Sequence, residues 1–211
     1  IGEECQDKKY ADESTELLIG DNNIIAERTG ITTIGDFRRR DIAAGGQGAP
    51  LVPAFHRAIF QQIGECRVIL NIGGIANITV LDGDRVLGFD TGPGNTLMDA
   101  ACSHYADMPY DANGELASQG KVDGELLQEL LAHSYFLQAP PKSTGRELFN
   151  LEWLQQHLRD TDNISETDLL ATLASLSAFS IAQAIQLHAP NCERVLVCGG
   201  GVHNVHLMKL L

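Results

Sequence analysis

The chain is 211 residues long and carries 15 Lys and Arg against 28 Asp and Glu, a formal net charge of −13. Apolar residues make up 44% and charged residues 20%, which excludes a disordered or fibrous chain and suits one sizeable core, or one domain and part of a second. The acidic balance, without a Lys/Arg stripe, argues against nucleic acid as a general partner, because nonspecific binding to phosphate backbones needs clustered positive charge.

In chain order, short β-branched runs predict strands over residues 68–70, 75–81, 86–89 and 195–198. Between the second and third, Asp82-Gly83 supplies a hairpin turn whose residues tolerate positive φ. Helices are predicted over 53–62, 95–104, 121–132, 151–159 and 166–188. The last has apolar residues at Leu169, Leu173, Leu176, Phe179, Ile181 and Ile185, close to helical spacing, with Ala and Ser between them. Strands alternating with helices indicate an α/β chain, with an insertion expected around 109–168 where the strand pattern breaks. No run of about 18 apolar residues is present, so no membrane span is expected, and the polar N-terminus lacks the h-region of a signal peptide. Five cysteines without a CxxC pair read as reduced thiols of a cytoplasmic protein.

Four segments carry candidate chemistry. In LNIGGIANITVL, Gly73-Gly74 separates two strands, and such glycines let backbone N–H groups approach a phosphate; a plain hairpin would look similar. In GFDTGPGNTLMDA, Asp90 ends a strand before Gly92 and Gly94, and Asn95 can cap the following helix. A carboxylate there sits where open α/β sheets place their chemistry, or it fixes the loop as an Asx-turn residue. In RVLVCGGGVHN, Gly199-Gly200-Gly201 follow a strand and precede a helix start at Asn204; a nucleotide ring lying flat on the main chain would demand them, and so would a sharp turn alone. In GDFRRRDIAAGGQG, arginines beside a glycine loop suit an anionic ligand, or pair internally with Asp36 and Asp41. The seven histidines show no HxxxH or HExxH spacing, so no protein-built metal site is expected, and no GxSxG marks a serine nucleophile.

Taken together with IGDNNIIAERTGI and PKSTGRELFN, these blocks in this order resemble the anhydro-N-acetylmuramic acid kinase family, of the actin, Hsp70 and sugar kinase superfamily. The resemblance implies an actin-like ATPase (ribonuclease H-like) fold of two lobes. Residues 1–70 would close the N-terminal lobe and 71–211 would form the C-terminal one. It implies a cytoplasmic kinase that uses ATP and water to open the 1,6-anhydro ring of its amino sugar and phosphorylate O6 in murein recycling. Asp90 would be the catalytic base. Asn71, Gly73, Gly74, Gly92, Gly94, Asn95, Gly199, Gly200, Gly201 and Asn204 would bind the nucleotide, which would bring its own Mg²⁺. Asp36, Arg38 and Gln47 would lie near the sugar, Lys142 and Arg146 would be close without an assigned role, and a homodimer is left open. Nothing resembles the family's glycine-rich first phosphate loop, residues 1–17 look atypical, and the blocks stop after the adenosine motif, so the fold is expected to be incomplete at both ends. The alternatives are a non-catalytic actin-like nucleotide-binding module, an inactive fragment of the kinase, or a glycosidase-like hydrolase, which would need a second carboxylate facing Asp90.

Overall fold

A computed structural model of the chain describes residues 21–158 and 164–211. Residues 1–17 and the predicted helix end at residue 159 lie outside them. The chain divides into two units, Ile1–Leu51 and Val52–Leu211, each described by itself.

In the first unit, helix α1 (Asn22–Thr29) starts where the Asp21 carboxylate accepts the Asn23 and Ile24 amides, and stops at Gly30 with φ 67°. Helix α2 (Phe37–Ala43) follows Asp36, whose φ is 70°. These helices of 8 and 7 residues bury no side chain, and segments that short give no readable period.

The second unit opens with α3 (Pro53–Phe60), started by Pro at its first turn, where a missing N–H costs nothing. Strands β1 (Arg67–Ile72), β2 (Ile75–Asp82) and β3 (Arg85–Pro93) follow, then α4 (Thr96–Tyr105). After two 3₁₀ turns come α5 (Gly124–Leu131), α6 (Ser134–Leu137), α7 (Leu151–His157), α8 (Glu166–His188), β4 (Arg194–Cys198) and α9 (Val205–Leu210). One open sheet has the order β3-β2-β1-β4, with β1 antiparallel to β2, β2 antiparallel to β3, and β4 parallel to β1. This mixed α/β architecture is the class expected above.

The hairpin lies one residue beyond the predicted turn. Asp82 pairs with Arg85, so Gly83 and Asp84 form the loop, and only Gly83 takes a positive φ, 57°. Strand β3 also runs past its predicted end to Pro93.

Helix α8 forms over the predicted residues, started by Ser165 Oγ accepting the Asp168 amide. Its burial differs from the pattern. Leu169, Leu173, Leu176 and Ile181 are buried, but Phe179 is 48% exposed, while Ala174, Ser177, Ala178 and Ser180 are buried. Small residues let α4, α5 and the β2–β3 face approach the helix on several sides. An apolar stripe is therefore the wrong template for it. Its most apolar 18-residue window is enough by length and composition for a membrane span, although it is not a purely apolar run. With 61% of that window buried, it serves as a core helix.

Burial pushes the pKa values of His56, His133 and His188 below 6.5. The unfolded chain then binds protons more readily than the folded one, so stability is full above about pH 6.5 and falls as the pH drops through that value. Urea unfolding is expected to show a lower midpoint at pH 5.5 than at 7.5. His56 Nδ1 lies 2.9 Å from Thr79 Oγ1 on β2, and His56→Gln is expected to shrink that difference.

Candidate active site

Strands β1, β3 and β4 point the same way, so the glycine segments that follow them gather at one end of the sheet. This is the end at which open α/β sheets bind ligands. There the first two segments clasp each other. The Gly94 and Thr96 amides donate to the Gly74 carbonyl at 2.8 and 3.0 Å, and the Asn95 amide donates to the Gly73 carbonyl at 2.8 Å. A Cβ on Gly94 would fall inside contact distance of the Gly73 carbonyl oxygen, so only glycine permits the approach. Asn95 does not make the predicted side-chain cap: its backbone, at φ −89° and ψ −17°, is already helical instead of extended as a capping residue requires. From the core side, Ser177 Oγ of α8 donates to the Gly94 carbonyl at 2.8 Å.

Asp90 lies within β3 rather than at its end. It pairs with Asn77, and Gly92 pairs with Ala76, which leaves Thr91 as an extra residue between them. A bulge of this kind bends the strand and re-aims its side chains. Asp90 is 6% exposed. Its Oδ2 accepts the Thr144 amide at 3.0 Å, its own amide donates to the Lys142 carbonyl, and its carbonyl accepts the Tyr135 hydroxyl at 2.7 Å. The segment from α6 through residue 144 thus holds both main chain and carboxylate. Burial, aided by the Asp90 charge, pushes the Tyr135 phenol far above its ordinary value, so it stays a donor. Lys142 is buried as well. Its Nζ donates to the Tyr135 carbonyl at 3.0 Å, it lies 4.6 Å from that ring's centroid, and burial lowers its pKa.

The third glycine segment joins the first. A Cβ on Gly199, where φ is 89°, would stand 2.6 Å from both Asn71 Oδ1 and the Ile72 carbonyl oxygen, and one on Gly201 would overlap the Ile72 side chain. Packing against β1 therefore accounts for these two glycines without a ligand. Gly200 differs, since its open side meets only Asn95 Nδ2, 3.9 Å away. Asn204 is engaged as the N-cap of α9, accepting the Leu207 amide at 2.9 Å.

The family model described as anhydro-N-acetylmuramic acid kinase matches residues 6–211. The chain belongs to the anhydro-N-acetylmuramic acid kinase family. Curated proteins of that name from Shewanella sp. (strain ANA-3), Shewanella oneidensis and Shewanella baltica (strain OS223) are 58%, 57% and 55% identical over 197 residues, 92% of this chain and 53% of each relative. The chain thus spans about half the length of the curated relatives it matches.

Of the site residues expected from the sequence, Asn71, Gly73, Gly74, Asp90, Gly92, Gly94, Asn95, Gly199, Gly200, Gly201 and Asn204 all belong to the second unit of this anhydro-N-acetylmuramic acid kinase family member. Asp36, Arg38 and Gln47 belong to the first. There Asp36 pairs with Arg39 at 3.2 Å, and Asp41 accepts the Gly48 amide at 2.8 Å, which draws the Gln47-Gly48 turn onto α2. The pairing of Asp36 with an arginine is the internal alternative to an anionic ligand at this segment.

Thr144 and Tyr135 carry no sequence signal of their own, because a backbone amide and a hydroxyl acting over 54 and 45 residues leave no local pattern. The KSTGRE block was the available signal. Thr144 Oγ1 is buried and has no hydrogen-bond partner among the described residues. An unpaired buried hydroxyl is a cost that an apolar group of the same shape removes. Thr144→Val keeps the amide that holds Asp90, and a thermal melt is expected to show stability unchanged or raised, by about 1 kcal/mol at most.

Proposed function

We propose that the protein carrying this chain is an ATP-dependent kinase that opens the 1,6-anhydro ring of anhydro-N-acetylmuramic acid and phosphorylates O6, giving N-acetylmuramic acid 6-phosphate for murein recycling. The observation that carries this reading is Asp90: a buried carboxylate at a strand bulge, held by the Thr144 amide, at the sheet end where three glycine segments meet. A carboxylate so placed accepts a proton from water in a site with little competing solvent. Water oxygen bonds to the anomeric carbon, the bond from that carbon to O6 breaks, O6 takes the γ-phosphoryl group, and ADP departs with Asp90 protonated. Fixed backbone donors suit the charge on a transferring phosphoryl group.

A Mg²⁺ ion would arrive on the nucleotide, held mainly by phosphate and water oxygens and supplying charge neutralisation. The Gly73-Gly74 turn is read as the phosphate loop and Gly200, with its open side beside Asn95, as part of the adenosine surface. Asp36, Arg38 and Gln47 are read as the sugar contacts. A cytoplasmic location accords with ATP as co-substrate and with the free thiols of Cys66, Cys102, Cys192 and Cys198.

The test is a coupled assay of ADP release with Mg-ATP, with and without 1,6-anhydro-N-acetylmuramic acid, on the full-length protein and on the 211-residue chain. Sugar-dependent turnover by the full-length protein is the expected result. Its absence there, with ATP bound normally in a calorimetric titration, would replace the kinase with a nucleotide-binding module.

A further inference from the structure

We infer that Arg146 is a direct ligand of the terminal phosphate of the bound nucleotide, an inference that rests on the kinase reading above. The loop that carries Arg146 is fastened on both sides. Upstream, the Thr144 amide is bonded to Asp90 Oδ2 at 3.0 Å; downstream, the Asn150 side-chain amide donates to the Arg146 carbonyl at 3.1 Å. The guanidinium is thereby delivered over the glycine turn. Its Nε and Nη2 each lie 3.7 Å from the point a Cβ of Gly74 would occupy, and Thr96 Cβ, at the start of α4, borders the same space at 3.8 Å. Asp99, half-buried in the first turn of α4, attracts it there: burial raises the pKa of that carboxyl, and the Arg146 charge works in the opposite direction.

Charge points to the same assignment. A nucleotide triphosphate approaching a chain of net charge −13 needs a local cation where its phosphates settle. Lys142, the other cation of KSTGRE, is buried and bonded to Tyr135, whereas Arg146 is exposed. A guanidinium also matches phosphate oxygens with a two-pronged fork that an ammonium lacks. Because the loop is bonded to Asp90, the phosphate it meets is the one being transferred rather than an inner one.

The assignment separates ATP from ADP. Calorimetric titrations of the full-length protein with Mg-ATP and Mg-ADP are expected to show Arg146→Gln weakening ATP about tenfold or more while leaving ADP within about twofold, a difference of the size expected for one charge-assisted contact. Arg146→Lys is expected to fall between, and both variants to melt with the parent because the side chain is exposed. Equal losses for ATP and ADP, or none, would overturn the role of Arg146 while the parent's sugar-dependent turnover left the kinase reading standing. A parent protein that binds no ATP would overturn both.

Discussion

Asp90→Asn in the full-length protein is expected to cut sugar-dependent ADP release by about a thousandfold, the scale at which a positioned general base contributes. ATP affinity is expected to stay within about twofold. Asn has the shape of Asp, so its carbonyl oxygen still accepts the Thr144 amide that now reaches Oδ2 at 3.0 Å. The main-chain bonds to Lys142 and Tyr135 do not involve the side chain at all. What the substitution removes is proton affinity, and a neutral amide cannot take the proton of an attacking water. A melting temperature near that of the parent would show that lost turnover is chemical and not structural. Turnover within a factor of ten of the parent would take Asp90 out of the mechanism.

Gly94→Ala is expected to produce the largest loss of stability, about 2–4 kcal/mol, from the added crowding and the weakened bonds of the clasp. The atom that a new Cβ would meet is the Gly73 carbonyl oxygen, part of the backbone and unable to swing aside as a flexible side chain does. Relief requires the 93–96 connection to back away from the Gly73-Gly74 turn, which stretches the amide bonds from Gly94, Asn95 and Thr96. Urea unfolding measures this directly. Gly124→Ala, in the first turn of α5 with nothing within 4 Å of the added atom, is the control and is expected to be neutral or slightly stabilising. Equal midpoints for the two variants would show that the clasp is not required for stability. If the clasp sets the phosphate loop as proposed, Gly94→Ala also loses ATP binding, in contrast to Asp90→Asn.

Elements whose signal is local were legible along the chain. Four β-branched runs became β1 to β4, and the span of α8 was legible because apolar residues recur through it at near-helical spacing with Ala and Ser between. Errors arose where a distant partner decided the outcome. Asn95 has a capping residue's chemistry, but its backbone, bonded to a turn about 20 residues upstream, is helical and not in the extended conformation of a cap. Phe179 fits the apolar spacing of α8 yet is exposed, since the core packs on the small residues of the other faces. The glycines and proline after Asp90 predict a strand end there, whereas pairing with Asn77 and Ala76 carries β3 through them by way of a bulge.

The same division runs through the site. Periodicity, turn residues and block order are properties of adjacent positions, and they sufficed for the α/β class, the family and the blocks proposed to carry the chemistry. How those blocks support one another depends on packing. It distinguished Gly199 and Gly201, which β1 crowds, from Gly200, which stays open. It separated Lys142, buried against Tyr135, from Arg146, carried over the glycine turn. It also placed the Thr144 amide on Asp90 across 54 residues. Contacts of this kind are made by backbone atoms that every residue possesses, so their partners are set by how the sheet, α8 and the 135–150 segment pack, and no pattern of side chains announces them.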